Sequence, residues 1–92
     1  MALRDVIRKM TKGNRRKAAL TLLDIILKSK NAHKLSSEEA KVFLRLWQED
    51  KFTTINGLVF LLDMAVKLEP EKTVNKLNET GFSELAGSIG GV

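Results

Sequence analysis

Apolar residues recur along most of this chain at the spacing of an amphipathic helix. In the first segment Leu3, Val6, Ile7 and Met10 lie three or four residues apart, so a helix would place them on one face. Later segments show comparable spacing, and no segment makes a convincing strand. The pattern therefore predicts an all-α protein, a compact single-domain bundle of four to five short helices.

Two helices are predicted in the first third of the chain. The first extends over residues 2–12, and Gly13 could end it in the left-handed conformation that glycine adopts without strain. The second extends over residues 15–30, with Asn14 as its expected N-cap. Apolar residues cover all but a narrow stripe of this second helix, so we expect it to be packed on more than one side.

Capping residues predict where the later helices begin. Ser36 and Glu39 have the spacing of a capping box at the start of a third helix. A fourth helix is expected to begin after Thr53 or Thr54, since either residue can cap it.

The C-terminal region is predicted to contain one more helix and a tail. Pro70 suits the first position of a fifth helix, which Gly81 would end. The following residues show no helical spacing and include several glycines. We therefore divide the chain into a helical bundle, residues 1–81, and a partly flexible C-terminal tail, residues 82–92.

The fourth predicted helix is apolar nearly all round. Asn56, Asp63 and Lys67 interrupt its apolar surface, and the last two have the spacing of a helical ion pair. Gly57 allows another chain segment to approach closely. Such a helix lies at the centre of a bundle or against a partner, and the small size of the protein favours the centre. If the monomer leaves part of it uncovered, the candidate partner-binding residues are Phe60, Leu61 and Met64.

Positive charge is concentrated in the N-terminal third of the chain. The protein has 16 Lys and Arg residues against 11 Asp and Glu residues, a formal net charge of +5. Residues 1–34 contain most of these cations and few of the acids, whereas residues 35–92 have an excess of acids. This asymmetry favours a polyanionic partner. The alternative is that surplus lysine only keeps a small protein soluble.

Arg15, Arg16 and Lys17 would occupy the first three positions of the second predicted helix, where the helix dipole disfavours cations. Two interpretations are open. The side chains could extend back over the apolar shoulder of the helix to reach water. Alternatively, this turn could bind phosphates through its free N–H groups and its guanidinium groups. The second interpretation predicts non-sequence-specific contact with a nucleic-acid backbone by Arg4, Arg8, Lys9, Lys12, Arg15, Arg16 and Lys17.

The sequence offers no constellation of residues for catalysis. It contains no cysteine and one histidine, His33, which we expect near a helix end rather than in a catalytic site. Neighbouring carboxylates in the chain point in different directions on a helix. We therefore predict a protein that is not an enzyme and that binds no metal, cofactor or small-molecule substrate. The lack of a long apolar run or a signal-peptide pattern predicts a cytoplasmic protein.

The basic stretch RDVIRKMTKGNRRK, residues 4–17, and the helical segments after it resemble a known type of protein. In size, charge and helical character, over its full length, the chain resembles the small basic accessory subunit of the B-family replicative DNA polymerase in some crenarchaeal archaea. The resemblance implies a non-catalytic protein of a thermophile that binds the polymerase and contacts nearby DNA. It assigns no role to an individual residue.

Two functional hypotheses follow from the sequence. The first is an accessory subunit of a DNA-processing complex that contacts nucleic-acid backbone through its basic N-terminal third. The second is a protein-interaction adaptor or homo-oligomer that uses the apolar surface of the fourth helix or the C-terminal tail, without direct nucleic-acid binding. Binding of the first helix to a membrane surface is less favoured, because the helix has no Trp or Phe to anchor it at the interface.

Overall fold

A computed structural model describes residues 2–90 of the chain. Over these residues the fold is all-helical, as predicted, but it contains six α-helices rather than four to five. No helix among the described residues is both long and apolar enough to cross a membrane. The helices are α1 (Leu3–Lys9), α2 (Lys12–Lys28), α3 (Ser37–Gln48), α4 (Ile55–Leu68), α5 (Pro70–Glu79) and α6 (Ser83–Gly90), with a short 3-10 turn at Ala32–Lys34.

The second helix begins three residues earlier than the sequence predicts. Its N-cap is Thr11, whose hydroxyl oxygen accepts a hydrogen bond from the Asn14 N–H at 3.1 Å. Thr11 is also a favoured N-cap residue, and Met10 before it is already extended. The predictions of an Asn14 cap and of a helix-ending Gly13 are therefore wrong, because both residues lie in the first turn of α2.

This shift changes the position of the three consecutive cations. Arg15 is the fourth residue of α2, and its N–H already donates to the Thr11 carbonyl oxygen at 2.9 Å. Arg16 and Lys17 lie further along the helix. The prediction that these cations occupy the first three helical positions is therefore wrong, and Lys12 alone among the first three residues of α2 is a cation.

The later helix beginnings agree with the sequence. At α3 the Ser36 hydroxyl accepts from the Glu39 N–H, and the Glu39 carboxylate accepts from the Ser36 N–H, which completes the capping box. At α4 the cap is Thr54, whose hydroxyl accepts from the Gly57 N–H at 3.0 Å. Pro70 is the first residue of α5.

The chain beyond α5 forms a sixth helix that the sequence pattern does not reveal. Gly81 lies between α5 and α6 with a φ of 87°, which glycine adopts without a steric penalty. The first residues of α6 then place Leu85 and Ala86 in the core, where both are buried. Part of the predicted tail is thus helical, while residues 91 and 92 lie outside the described part of the chain.

The core of the protein surrounds α4, which packs against α1, α2 and α5. α6 closes the bundle against α1 and α5. A Cβ atom on Gly57 would overlap the Lys51 carbonyl oxygen, so the predicted close approach at this glycine is confirmed. The central position predicted for α4 is also seen, and the core residues with the lowest exposure are Ile7, Ala18, Leu22, Leu58, Leu61, Leu62, Ala65 and Leu77.

α3 lies at the edge of this bundle, and none of its residues is fully buried. The Phe43 ring rests on the ring of Phe52, with centroids 5.2 Å apart, in the loop that follows α3. At the other end of the helix, the Glu39 carboxylate accepts from the Lys67 ammonium of α4 at 2.7 Å. The predicted Asp63–Lys67 pair is therefore wrong, because Lys67 pairs with Glu39 across the two helices.

A polar cluster joins the end of α2 to the junction of α4 and α5. The Glu69 carboxylate accepts hydrogen bonds from the Ser29 hydroxyl at 2.7 Å and from the Asn31 amide at 2.8 Å. The same Asn31 amide donates to the Leu68 carbonyl oxygen. These donors, above all the Ser29 hydroxyl, hold the pKa of Glu69 below its ordinary value.

Candidate protein and nucleic-acid interfaces

Four large apolar side chains lie on the surface of α2 and α3. The exposed fractions are 60% for Leu20, 62% for Leu27, 58% for Leu44 and 53% for Trp47. Leu20 and Leu27 are seven residues apart and share one face of α2, whereas Leu44 and Trp47 are three residues apart on α3. α2 packs against both α4 and α5, as expected from its wide apolar surface, yet Leu20 and Leu27 remain exposed in the monomer.

Phe52 connects the apolar face of α2 to that of α3. Its ring packs edge-on against the ring of Trp47, with centroids 6.1 Å apart. Phe52 also lines a surface groove of about 550 Å³ together with Leu20 and Leu23 of α2. We define the α2–α3 surface as these three residues, together with Trp47 and the exposed leucines of the two helices, Leu27 and Leu44.

Mostly cationic side chains border the α2–α3 surface. Lys12 and Arg16 line the groove at the N-terminal end of α2, and Asp50 is the acid beside them. On α3, Lys41 lies one helical turn before Leu44 and is exposed. None of these four charged side chains has a hydrogen-bond or ion-pair partner among residues 2–90. The edge of the apolar region is therefore positively charged on balance and free to interact.

The partner-binding residues predicted on α4 do not form a surface. Leu61 is fully buried and Met64 is 5% exposed, because α4 lies at the centre of the bundle. Phe60 is partly buried and packs against the same core. The apolar surface of α4 therefore packs into the core of the monomer.

Several of the predicted nucleic-acid-binding cations contact the protein itself. Arg4 donates to the side-chain oxygen of Asn56 on α4 at 2.7 Å. Arg8 forms an ion pair with Asp5, one turn earlier in α1, at 3.2 Å. Arg4 and Arg8 are therefore directed to different neighbours rather than aligned along one basic stripe.

Arg15 has a structural role at the corner between α1 and α2. Its Nε donates to the Ile7 carbonyl oxygen at 3.2 Å, and its terminal nitrogen lies 3.5 Å from the Arg8 carbonyl oxygen. These carbonyl groups belong to the C-terminal end of α1, which carries the negative end of the helix dipole. Arg15 thus donates hydrogen bonds to the C-terminal carbonyl groups of α1, and this role explains its position without a bound anion.

Arg16 and Lys17 lie on different sides of α2. Arg16 borders the α2–α3 groove, as described above. Lys17 lines a second groove, formed with Lys9, Glu84 and the turn between α5 and α6. The seven predicted cations therefore do not converge on one patch, and those at the start of α2 that project into solvent are Lys12, Arg16 and Lys17.

Comparison with known proteins gives this chain no relative. No family model, curated protein or solved structure matches it. Support for each candidate interface therefore comes from the geometry and chemistry of this chain.

The described acids and the single histidine do not come together. No group of three or more His, Cys, Asp and Glu side chains within residues 2–90 is arranged to hold a metal ion. His33 is exposed in the 3-10 turn. Asp63 is the acid whose pKa is raised, because neighbouring atoms partly desolvate its carboxylate.

The exposed apolar residues of α2 and α3 leave a signal in the sequence, because the apolar arc of each helix is wider than its buried face. On α2 the apolar residues extend beyond the arc that one neighbouring helix can cover, and Leu20 and Leu27 lie at its outer edge. On α3 the half-buried arc is centred on Phe43 and Leu46, while Leu44 and Trp47 lie to one side of it. The pattern shows this excess of apolar surface, but only the tertiary structure shows that the monomer leaves it uncovered.

Proposed function

We propose that this chain is a non-catalytic binding subunit that docks onto a partner protein through its α2–α3 surface. The observation that carries this proposal is the exposure of four large apolar side chains on two helices, Leu20 and Leu27 on α2 and Leu44 and Trp47 on α3. Complete burial of a large apolar side chain contributes about 1.5–3 kcal/mol, so each of these half-exposed residues leaves roughly 1 kcal/mol unrealised. A partner that covers the surface recovers this free energy.

A DNA-processing complex is the proposed setting for this subunit. The concentration of cations in the N-terminal third places positive charge near the α2–α3 surface, where a nucleic-acid-bound partner would bring phosphates. The resemblance of the chain to small basic polymerase subunits makes a replicative DNA polymerase of a thermophilic archaeon the proposed partner. This part of the proposal rests on sequence character alone.

The proposal is tested by capturing partners from the cell that makes this protein, after nuclease treatment. The bait is compared with a surface variant, Leu20→Ser with Leu44→Ser, and with a matched control, Thr21→Ser with Ala40→Ser, on the same two helices. We expect one defined protein to bind the wild type and the control but not the surface variant. Equal capture by all three baits would contradict the proposal.

A second candidate function is contact with a nucleic-acid backbone. It is favoured by Lys12, Arg16 and Lys17, whose side chains are exposed near the start of α2 and have no partner among the described residues. These cations supply charge rather than a shape that reads bases, so binding would be independent of sequence and sensitive to salt.

Titration with double-stranded DNA at several salt concentrations tests the second candidate. Three phosphate contacts predict that log K falls against log salt with a slope of about −3. Replacing Lys12, Arg16 and Lys17 with Gln should flatten this slope, while replacing Lys30, Lys34 and Lys76 with Gln is the control of equal charge. Absence of binding at ~50 mM salt, or equal loss in both variants, would remove this candidate.

A further inference from the structure

We propose that the occupant of the α2–α3 surface is an amphipathic helix of the partner protein, with acidic residues beside its apolar stripe. This inference rests on the proposed function, because it names the kind of segment that covers the same surface. It combines two independent features of the surface, its shape and the charge along its edge.

The shape of the surface suits a helix. The groove lies between α2 and the loop that follows α3, and Leu20, Leu23 and Phe52 line it. Leu27 continues the same face of α2, so the apolar residues of this face extend over two helical turns, or roughly 10 Å. A helix that presents apolar residues at positions i, i+3, i+4 and i+7 would place anchors along this length. Strand addition has no template here, because the described residues include no strand with a free edge.

The charge along the edge selects an acidic helix. Lys12 and Arg16 line one end of the groove, where Asp50 is the acid beside them, and Lys41 lies on α3 one turn before Leu44. Of the acids on α2 and α3, Asp24 is paired with Lys28 and Glu39 with Lys67, while Glu38, in the first turn of α3, does not line the groove. Glu or Asp residues flanking an apolar stripe would meet the unpaired cations, and lysines in the same places would be repelled.

The same charges disfavour a second copy of this chain as the occupant. A symmetric dimer through the α2–α3 surface would bring together two surfaces that carry the same excess of positive charge. Burial of the apolar residues would then oppose repulsion between like charges. An acidic partner gains from both features.

Trp47 provides a direct measurement, since it is the one tryptophan in the chain and about half exposed. Three Trp-free helical peptides with the same leucine stripe are titrated against the whole protein, with the flanking positions all Glu, all Gln or all Lys. We expect the Glu peptide to shift the Trp47 emission to the blue. It should bind about tenfold more tightly than the Gln peptide at ~50 mM salt, and about twofold more tightly at ~500 mM.

Two variants locate the peptide. Leu20→Ser with Leu44→Ser, checked for native helicity by circular dichroism, should abolish binding of the Glu peptide. Arg16→Gln with Lys41→Gln should remove most of the preference for Glu over Gln, and Lys30→Gln with Lys76→Gln, away from the groove, should leave it unchanged.

The other outcomes overturn the inference in distinguishable ways. Equal binding of the three peptides, or preference for Lys, rejects an acidic occupant. No binding of any peptide rejects a helix, and the proposed function then still stands if the surface variant loses its captured partner. Sedimentation as a dimer that Leu44→Ser dissociates identifies a second copy as the occupant. An oligonucleotide that shifts Trp47 emission more effectively than the Glu peptide identifies a nucleic acid instead.

Discussion

Thr11 and Arg15 explain the corner between α1 and α2, where the prediction from the sequence was wrong. Asn14 and Thr11 are both good N-caps three residues apart, and the structure uses Thr11. With this choice, α2 begins soon enough for Arg15 to reach back to the C-terminal carbonyl groups of α1. The apparent conflict between three cations and a helix dipole arises from placing the helix start one turn too late.

Replacement of Arg15 should therefore affect folding. We expect Arg15→Ala to lower the free energy of unfolding by about 1–2 kcal/mol, because the carbonyl groups of Ile7 and Arg8 lose a charged donor. Arg16→Ala, on the exposed side of the same helix, is the control and should change it by less than about 0.5 kcal/mol. Denaturation by urea measures both values, and equal effects would show that Arg15 is not a structural cap.

Replacement by alanine should raise the free energy of unfolding at Gly13 and lower it at Gly57. Gly57→Ala would force a Cβ against the Lys51 carbonyl oxygen and to 2.9 Å from the Cα of Phe52, so we expect a loss of at least about 2 kcal/mol. At Gly13, which lies in a helix, an added Cβ would meet no neighbouring atom within 4 Å, so Gly13→Ala should add about 0.5 kcal/mol. Thermal unfolding measures both changes, and a stable Gly57→Ala protein would contradict the close packing of α4.

The Glu69 cluster predicts a dependence of stability on pH. Because its hydrogen bonds lower the pKa of Glu69 in the folded protein, its contribution is complete above the unfolded value of 4.5 and is lost as the pH falls through the folded value. The difference in unfolding free energy between the wild type and Glu69→Gln should therefore narrow from pH 6 to pH 3. Glu71→Gln, an exposed carboxylate on α5, is the control, and a constant difference for Glu69→Gln would contradict the assignment.

At the scale of helices, the starts of α3, α4 and α5 agree with the sequence-based prediction, whereas α6, which packing stabilises, was not predicted. Ser36, Thr54 and Pro70 begin α3, α4 and α5 as predicted, because each helix start depends on a residue a few positions away. α6 has weak intrinsic preference because of its glycines, and burial of Leu85 and Ala86 stabilises it. Such burial depends on the other helices and cannot be read from one segment.

Among the longer helices α2, α3 and α4, we expect the amides of α3 to be the least protected against hydrogen exchange. None of its residues is fully buried, whereas α4 is surrounded by the core, so local opening of α3 exposes little apolar surface. In hydrogen exchange we expect the α3 amides to exchange faster than those of α4. Ser36→Ala, which breaks the capping box, should accelerate α3 further and leave α4 unchanged. Equal protection of α3 and α4 would show that α3 is an integral part of the core.

At the scale of the whole molecule, the apolar residues have two roles: some form the core, and others remain exposed to water. α4 supplies the centre of the core, which is why Phe60, Leu61 and Met64 cannot also form the predicted docking patch. α2 and α3 retain an apolar surface that the monomer leaves in contact with water, beside unpaired cations. The central claim is that a partner protein covers this surface in the cell.

Site-specific photo-crosslinking in the native cell tests this claim most directly. A photoreactive phenylalanine analogue replaces Leu44 on the α2–α3 surface or, as a control, the exposed Glu79 of α5. We predict one defined protein adduct from position 44, lost when Leu20→Ser is added, and no equivalent adduct from position 79. The same adducts from both positions, or none from position 44, would contradict the account.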